Sequence, residues 1–291
     1  MIPSMIGVHM GQKKQAKRIG SGKTALLMAA VLLLGLMSAC GKSAAGVVLV
    51  GSTSVQPYAE VLAEEYHVLV PDSRVDVQGG GSATGIEAAE TGTADIGMSS
   101  RNLTDAEESK LWSIEIAKDG IAIVVNPANP VTDLTLDQVR DIYAANITDW
   151  SEVGGHQGKI HLVTREEGSG TRSSFESLVM GKAEITPKAI VQASNGAVRQ
   201  VVSSDPDAVG FISLGLVDET VKAIQLDDVM PTRDNILNGS YSLYRPFLFV
   251  CGAPPEGPTK EFIDFVMSAE GQRVLEDAGL ITAVETPMKN P

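Results

Sequence analysis

Three joins between a strand-like run and a helix-like run are built from glycine, serine and threonine: Gly51-Ser52-Thr53-Ser54, Gly79-Gly80-Gly81-Ser82 and Gly168-Ser169-Gly170-Thr171. Strand, small-residue loop and helix, repeated along one chain, is the pattern of an α/β fold, and no other feature limits the fold more. Strand-like runs lie at Val47–Val50, Arg74–Gln78, Ala94–Met98, Gly120–Val125, Ile160–Thr164, Val209–Ser213 and Tyr244–Val250. Helices are predicted where Val55, Tyr58, Leu62 and Tyr66 share a face, and over Thr84–Ala89, Thr104–Trp112, Leu136–Tyr143, Thr171–Met180 and Gly196–Ser203. A last helical region carries Phe262, Phe265, Val266, Val274 and Leu275. With 291 residues, 43% of them hydrophobic, the chain can fill the core of one large domain or of two ordinary ones.

Residues 1–39 form a separate module. They hold Lys13, Lys14, Lys17, Arg18 and Lys23 and no acidic residue, followed by an unbroken apolar run of 13 residues from Ala25 to Met37 and then Ser38-Ala39-Cys40-Gly41. That run fits the core of an export signal and falls short of the ~20 residues a spanning helix needs. The small residues before Cys40 resemble a bacterial lipobox, in which the signal is cut just before a cysteine that becomes lipidated. Gly20-Ser21-Gly22-Lys23-Thr24 looks like the end of a P-loop, but Lys17 stands where the motif opens with glycine. Beyond the signal the chain has 18 basic against 36 acidic groups, a net charge of −18, which weighs against a nucleic-acid partner. Two cysteines are too few for a disulfide framework or a multi-cysteine zinc site.

The three joins suit an anion. A helix N-terminus presents unpaired backbone N–H groups and a partial positive charge; glycine lets a ligand approach closely, and a hydroxyl adds a donor. Any one join also reads as a good helix cap, and three of the same kind favour a ligand. The third is preceded by Arg165, Glu166 and Glu167. A guanidinium pairs with two oxygens of a tetrahedral oxyanion, whereas a neighbouring carboxylate repels one unless the ligand carries a proton. Hydrogen phosphate carries such a proton and sulfate does not.

A hydrolase is the rival from another class. Gly-x-Ser-x-Gly is absent, since Glu167 precedes Ser169 by two places and Thr84 follows Ser82 by two. His67, His156 and His161 accompany no recognisable nucleophile, no His/Asp cluster appears at metal-ligand spacing along the sequence, and Cys251 reads as a buried thiol.

At this point the sequence resembles the phosphate-binding lipoproteins of phosphate ABC transporters, the PstS family. The resemblance runs from about Val47 to about Leu280 through Gly51–Ser54, Gly81-Ser82, Thr93–Gly97, Asn146–Trp150, Val153–Gly155, Arg165–Thr171 and Ser268–Gln272. It implies an α/β, two-lobed class II periplasmic-binding-protein-like fold with two hinge crossings, expected near Val125–Pro127 and Tyr244–Pro246. Lobe 1 would then be 40–125 plus 246–291 and lobe 2 would be 126–245. It also implies phosphate capture without catalysis, no metal and no cofactor, delivery to membrane permease subunits, anchoring through lipidated Cys40 outside the cytoplasm, and a monomer. Carried over by position, the phosphate cage is Thr53, Ser54, Ser82, Arg165, Ser169, Gly170 and Thr171, with Glu167 where the family commonly has Asp. Ser100 replaces an Asp of many members, and Arg101 beside it offers a second cation. Glu167 and the Ser100 hydroxyl are thus alternative acceptors for the ligand proton. Sulfate, molybdate or tungstate on the same scaffold is the alternative ligand class.

Overall fold

The computed structural model describes residues 46–283. The expected export signal, Cys40 and the P-loop-like segment lie outside the described residues.

In chain order the elements are β1 (Val47–Gly51), α1 (Gln56–Leu69), β2 (Val75–Gly79), α2 (Ser82–Thr91), β3 (Ile96–Ser99), α3 (Asp105–Glu108), β4 (Trp112–Val125), β5 (Asp133–Leu134) and α4 (Leu136–Tyr143). There follow β6 (His161–Arg165), α5 (Gly170–Phe175), β7 (Ile190–Gln192), α6 (Asn195–Ser204), β8 (Ala208–Ser213), β9 (Lys222–Ala223), β10 (Gln225–Leu226) and α7 (Arg233–Leu237). The chain closes with β11 (Tyr244–Cys251), α8 (Gly257–Val266), α9 (Ala269–Asp277) and β12 (Ile281–Thr282). Among the described residues one sheet runs β2-β1-β3-β11-β4-β8-β6-β7, with β9 and β12 also paired to β4, while β5 and β10 pair separately.

Among the described residues two large cores lie along this sheet, beside two smaller clusters. One gathers Leu49, Ile96, Ile116, Ala117, Phe247, Phe249 and Phe262; the other gathers Ile121, Ile123, Tyr143, Trp150, Phe175 and Phe211. β4 serves both. Its first part pairs antiparallel with β11, from Trp112 opposite Cys251 to Gly120 opposite Tyr244, and its last part pairs with β8, from Ile121 opposite Ser213 to Val125 opposite Val209. The chain thus changes core inside β4, between Ala117 and Ile121, earlier than the Val125–Pro127 crossing the resemblance implies. It returns between Leu243 and Phe247.

Two sequence expectations are corrected, and a third gains detail. The helix expected over Thr104–Trp112 spans only Asp105–Glu108, held by a capping box of Thr104 and Glu107. Trp112, Ile114 and Ile116 alternate along β4, so the period-two pattern governs that stretch. The helix expected over Thr171–Met180 is an α-helix to Phe175 and then a π-helical turn over Glu176–Met180. The last helical region is two helices, separated by Ser268, whose Oγ accepts from Gly271 N–H at 3.2 Å to start the second.

Candidate functional site

The three glycine- and serine-rich joins converge. Each follows a strand end: β1 for the first, β2 for the second and β6 for the third. Ser82 and Ser100 are 0% exposed, and Ser54, Arg165, Ser169 and Thr171 are 1% exposed. The loops touch directly: Ala83 N–H donates to the Gly168 carbonyl at 3.0 Å, Ser54 Oγ lies 2.9 Å from Thr171 Oγ1, and Ser174 Oγ donates to the Ser100 carbonyl at 3.2 Å. Gly170 is required by this approach, since a Cβ there would collide with the Oγ atoms of Ser82 and Ser100. Gly168, at φ 86°, turns the chain from the end of β6 into α5.

The first two joins and the end of β3 supply neutral hydroxyls. Ser52 Oγ takes the Ser54 and Val55 N–H groups at 3.2 and 3.4 Å and donates to Ser100 Oγ at 2.8 Å. Ser82 Oγ accepts from Ser100 N–H at 3.0 Å and lies 3.3 Å from Ser100 Oγ. The third join supplies the charge. Arg165 donates to Thr53 Oγ1 at 3.1 Å and to the Gln192 carbonyl at 3.2 Å, and its Nη1 is buried without a hydrogen-bond partner. Ser169 caps α5 by accepting Arg172 N–H at 3.3 Å.

Two expected site residues are placed elsewhere. Glu167 is exposed, because the turn in which Ser169 N–H donates to the Glu166 carbonyl carries it outward. Glu166 instead grips the guanidinium, with Oε2 2.9 Å from Nε and Oε1 2.8 Å from Nη2. Arg101 turns to α3, where both terminal nitrogens meet the Glu107 carboxylate at 2.8 Å. Those bonds hold the Glu107 carboxyl down at about 2. The expected second cation therefore has both terminal nitrogens committed to its own partner, whereas Arg165 keeps Nη1 uncommitted. The Asp149-Trp150 segment is structural: Trp150 is buried, donates through Nε1 to the Asp207 carbonyl at 3.0 Å, and opens a turn capped by Asp149.

The sequence reading missed Ser52, Asn195 and the Asp119–Arg245 pair. Asn195 donates to Ser54 Oγ at 2.8 Å and accepts Ser213 N–H at 3.1 Å. Arg245 donates to Ser54 Oγ at 3.2 Å and to Asp119 Oδ2 at 2.9 Å, across facing positions of β4 and β11 where the chain changes core. Both members of the pair are 2% exposed, and burial pushes the Asp119 carboxyl up against the pull of Arg245. Asn195 directly follows the N-cap Ser194 in Ser194-Asn195-Gly196, a legible signal for a helix start; the place of Arg245 depends on strand register, which a single sequence does not display.

The reading that no His/Asp cluster lies at ligand spacing is also corrected. His161, Asp205 and Asp207 place ligand atoms within 4.8 Å of one another. Two hydrogen-bonded contacts account for these side chains: His161 Nδ1 lies 2.7 Å from Asp205 Oδ2 and His156 Nε2 lies 2.6 Å from Asp207 Oδ1. Cys251 is a free buried cysteine whose thiol is pushed up to about 11 by burial, which suits packing and not nucleophilic attack.

The family model for the PBP superfamily domain matches residues 38–270. A protein from Clostridium perfringens, assigned as a phosphate ABC transporter substrate-binding protein and solved with bound phosphate, is 41% identical, with a TM-score of 0.80 over 82% of this chain and 99% of that one. An ABC-type phosphate transport receptor from Vibrio cholerae is 46% identical, with a TM-score of 0.69 over 81% of this chain and 99% of that one. The phosphate-binding protein PstS of Bacillus subtilis is 29% identical over 282 residues, 89% of this chain and 93% of its own length. These solved relatives share the two-lobed architecture and are binding proteins.

Proposed function

Because the chain belongs to the PBP superfamily and, within it, to the PstS phosphate-binding proteins, we propose that it captures inorganic phosphate between its two lobes and passes it to an ABC importer. The observation that carries this reading is a buried donor with no acceptor. The Arg165 Nη1 group has no partner, and in the same converged loops Ser82, Ser100, Ser169 and Thr171 are buried, with the Ser82 and Ser100 hydroxyls against Gly170 at the start of α5. A buried donor left unmet is costly, so the site calls for a compact ligand rich in acceptors, and a tetrahedral oxyanion is one. Arg165 supplies charge, Ser82, Ser100, Ser169 and Thr171 supply hydroxyls, and Gly170 supplies backbone approach. With Glu167 in solvent, Ser100 is the remaining one of the two acceptors the sequence offers for the ligand proton, and Glu166 holds Arg165 in place.

Capture follows from closure. Loops from the two cores meet around the site, so an anion that binds both sets of donors favours the closed form over an open one. We place the crossings at Asp119–Gly120 and Tyr244–Arg245, which assigns β1–β3, the first part of β4, β11 and α8–α9 to one lobe and the intervening chain to the other. Export, lipidation at Cys40 outside the cytoplasm, recognition of the closed form by permease subunits, and a monomeric state complete the proposal. Calorimetry on the full-length chain in detergent, freed of bound anion by unfolding and refolding, tests it. One-to-one heat with phosphate and none with sulfate is expected. Equal affinity for sulfate, or no heat with phosphate, overturns the reading.

A further inference from the structure

We propose that Asn195 and Arg245 are positioning residues that set the direction of a hydrogen-bond relay running from Ser54 to Thr171 to the bound anion; the inference rests on the phosphate-binding reading above. The Ser54 hydroxyl is the hub. The Asn195 amide is fixed in orientation because its Oδ1 accepts the Ser213 N–H at 3.1 Å, which turns Nδ2 toward Ser54 Oγ at 2.8 Å. The Arg245 guanidinium has only donors, and its Nη2 serves Asp119 Oδ2 at 2.9 Å and Ser54 Oγ at 3.2 Å.

A hydroxyl oxygen has two acceptor positions and one proton. Asn195 and Arg245 fill both acceptor positions of Ser54, so its proton goes to the remaining neighbour, Thr171 Oγ1, at 2.9 Å. Thr171 Oγ1 is then an acceptor within the protein. Its own proton meets no acceptor among the described residues, and Thr171 is 1% exposed, so that proton is left to the ligand. Without the two donors the same pair of hydroxyls could run the other way, from Thr171 to Ser54, and Thr171 would turn a lone pair to the anion. Ser54 follows β1, whereas Asn195 and Thr171 lie in the first turns of α6 and α5, whose buried residues belong to clusters other than the one around β1, so the relay is assembled only when the loops meet. Ser54 accordingly acts through Thr171, and its expected place as a direct phosphate ligand is replaced by this indirect one.

A double-mutant cycle tests the relay, read as phosphate dissociation constants by calorimetry on the full-length chain. Asn195→Asp puts an acceptor in place of the donor, which draws the Ser54 proton away from Thr171. Phosphate binding is expected to weaken about 100-fold, and in a Ser54→Ala background, where the relay is cut, the same substitution is expected to weaken it by no more than about threefold. Equal losses in the two backgrounds would mean that the new carboxylate merely repels the anion, and would overturn the relay while leaving the phosphate reading intact. A wild-type chain that fails to bind phosphate overturns both. Should Asn195→Asp fail to fold, Ser54→Ala and Thr171→Val form a second cycle of small substitutions. Ser54→Ala is expected to weaken binding about fivefold with Thr171 present and not at all in Thr171→Val. The same loss in both overturns the relay.

Discussion

The two halves of the cage are built from opposite materials. The half carried by β1, β2 and β3 is neutral: Ser52, Ser82 and Ser100 are bonded to one another within 3.3 Å, and its side chains bring no charge to the anion. The half that follows β6 is charged, with Arg165 buried and clamped by Glu166. A linked set of hydroxyls keeps its geometry whether or not the other lobe is near, whereas a buried guanidinium needs acceptors to offset its desolvation. The difference teaches that affinity resides mainly in the third loop and shape mainly in the first two. It also explains how a chain with a net charge of −13 can hold an anion, since charges more than ~8 Å away are largely screened at physiological salt.

The largest expected effect comes from emptying the charged half. Arg165→Ala removes two or more charge-assisted bonds and leaves Glu166 uncompensated, so phosphate affinity should fall by about 1,000-fold or more while the circular dichroism spectrum is retained. An unchanged dissociation constant would dissolve the distinction between the halves. Gly170→Ala attacks the seam between them: the new methyl group forces Ser82 and Ser100 away, and affinity should drop by roughly 100-fold with a modest fall in melting temperature. In the neutral half, Ser100→Ala should cost about 1 kcal/mol of binding, near fivefold, as one hydroxyl among several.

Glu166 and Glu167 sharpen the comparison further. Glu167→Gln should leave phosphate affinity and discrimination against sulfate within about twofold, since an exposed carboxylate is screened. Glu166→Gln loosens Arg165 and should shift affinity by about tenfold. The reverse order would return Glu167 to the site. The smallest effect is expected at the Arg101 cation. The Glu107 carboxyl sits at about 2 against an ordinary 4.5, so the Arg101–Glu107 pair stabilises the fold fully above pH 4.5 and loses that contribution as pH falls through about 2. In thermal melts Glu107→Gln, which keeps the cap to Thr104, should lie below the wild type at pH 6 and converge with it near pH 2, with phosphate affinity unchanged.

Much of this arrangement is legible in the residues. The alternation of strands and helices, the likeness of the three joins and the singling out of Arg165 follow from local pattern, because strand period, helix caps and glycine loops are written in neighbouring residues. What is not legible depends on packing between distant segments. Glu166 and Glu167 are adjacent and chemically alike, and only the turn at Gly168 decides which one faces Arg165. Arg101 reads as a cation beside the site until Glu107, six residues on, claims it. Arg245 and Asp119 meet through the register of β4 against β11, and the change of core between Ala117 and Ile121 falls at the end of that same pairing, ahead of the prolines that follow β4.

The most direct test of capture by two unlike halves is small-angle X-ray scattering of the full-length chain in contrast-matched detergent, stripped of anion and then titrated with phosphate or sulfate. The account predicts that the radius of gyration falls on saturation with phosphate, stays unchanged with sulfate, and no longer responds in Arg165→Ala. Phosphate binding one-to-one without any change in the radius of gyration would contradict closure as the means by which the charged loop meets the hydroxyl half.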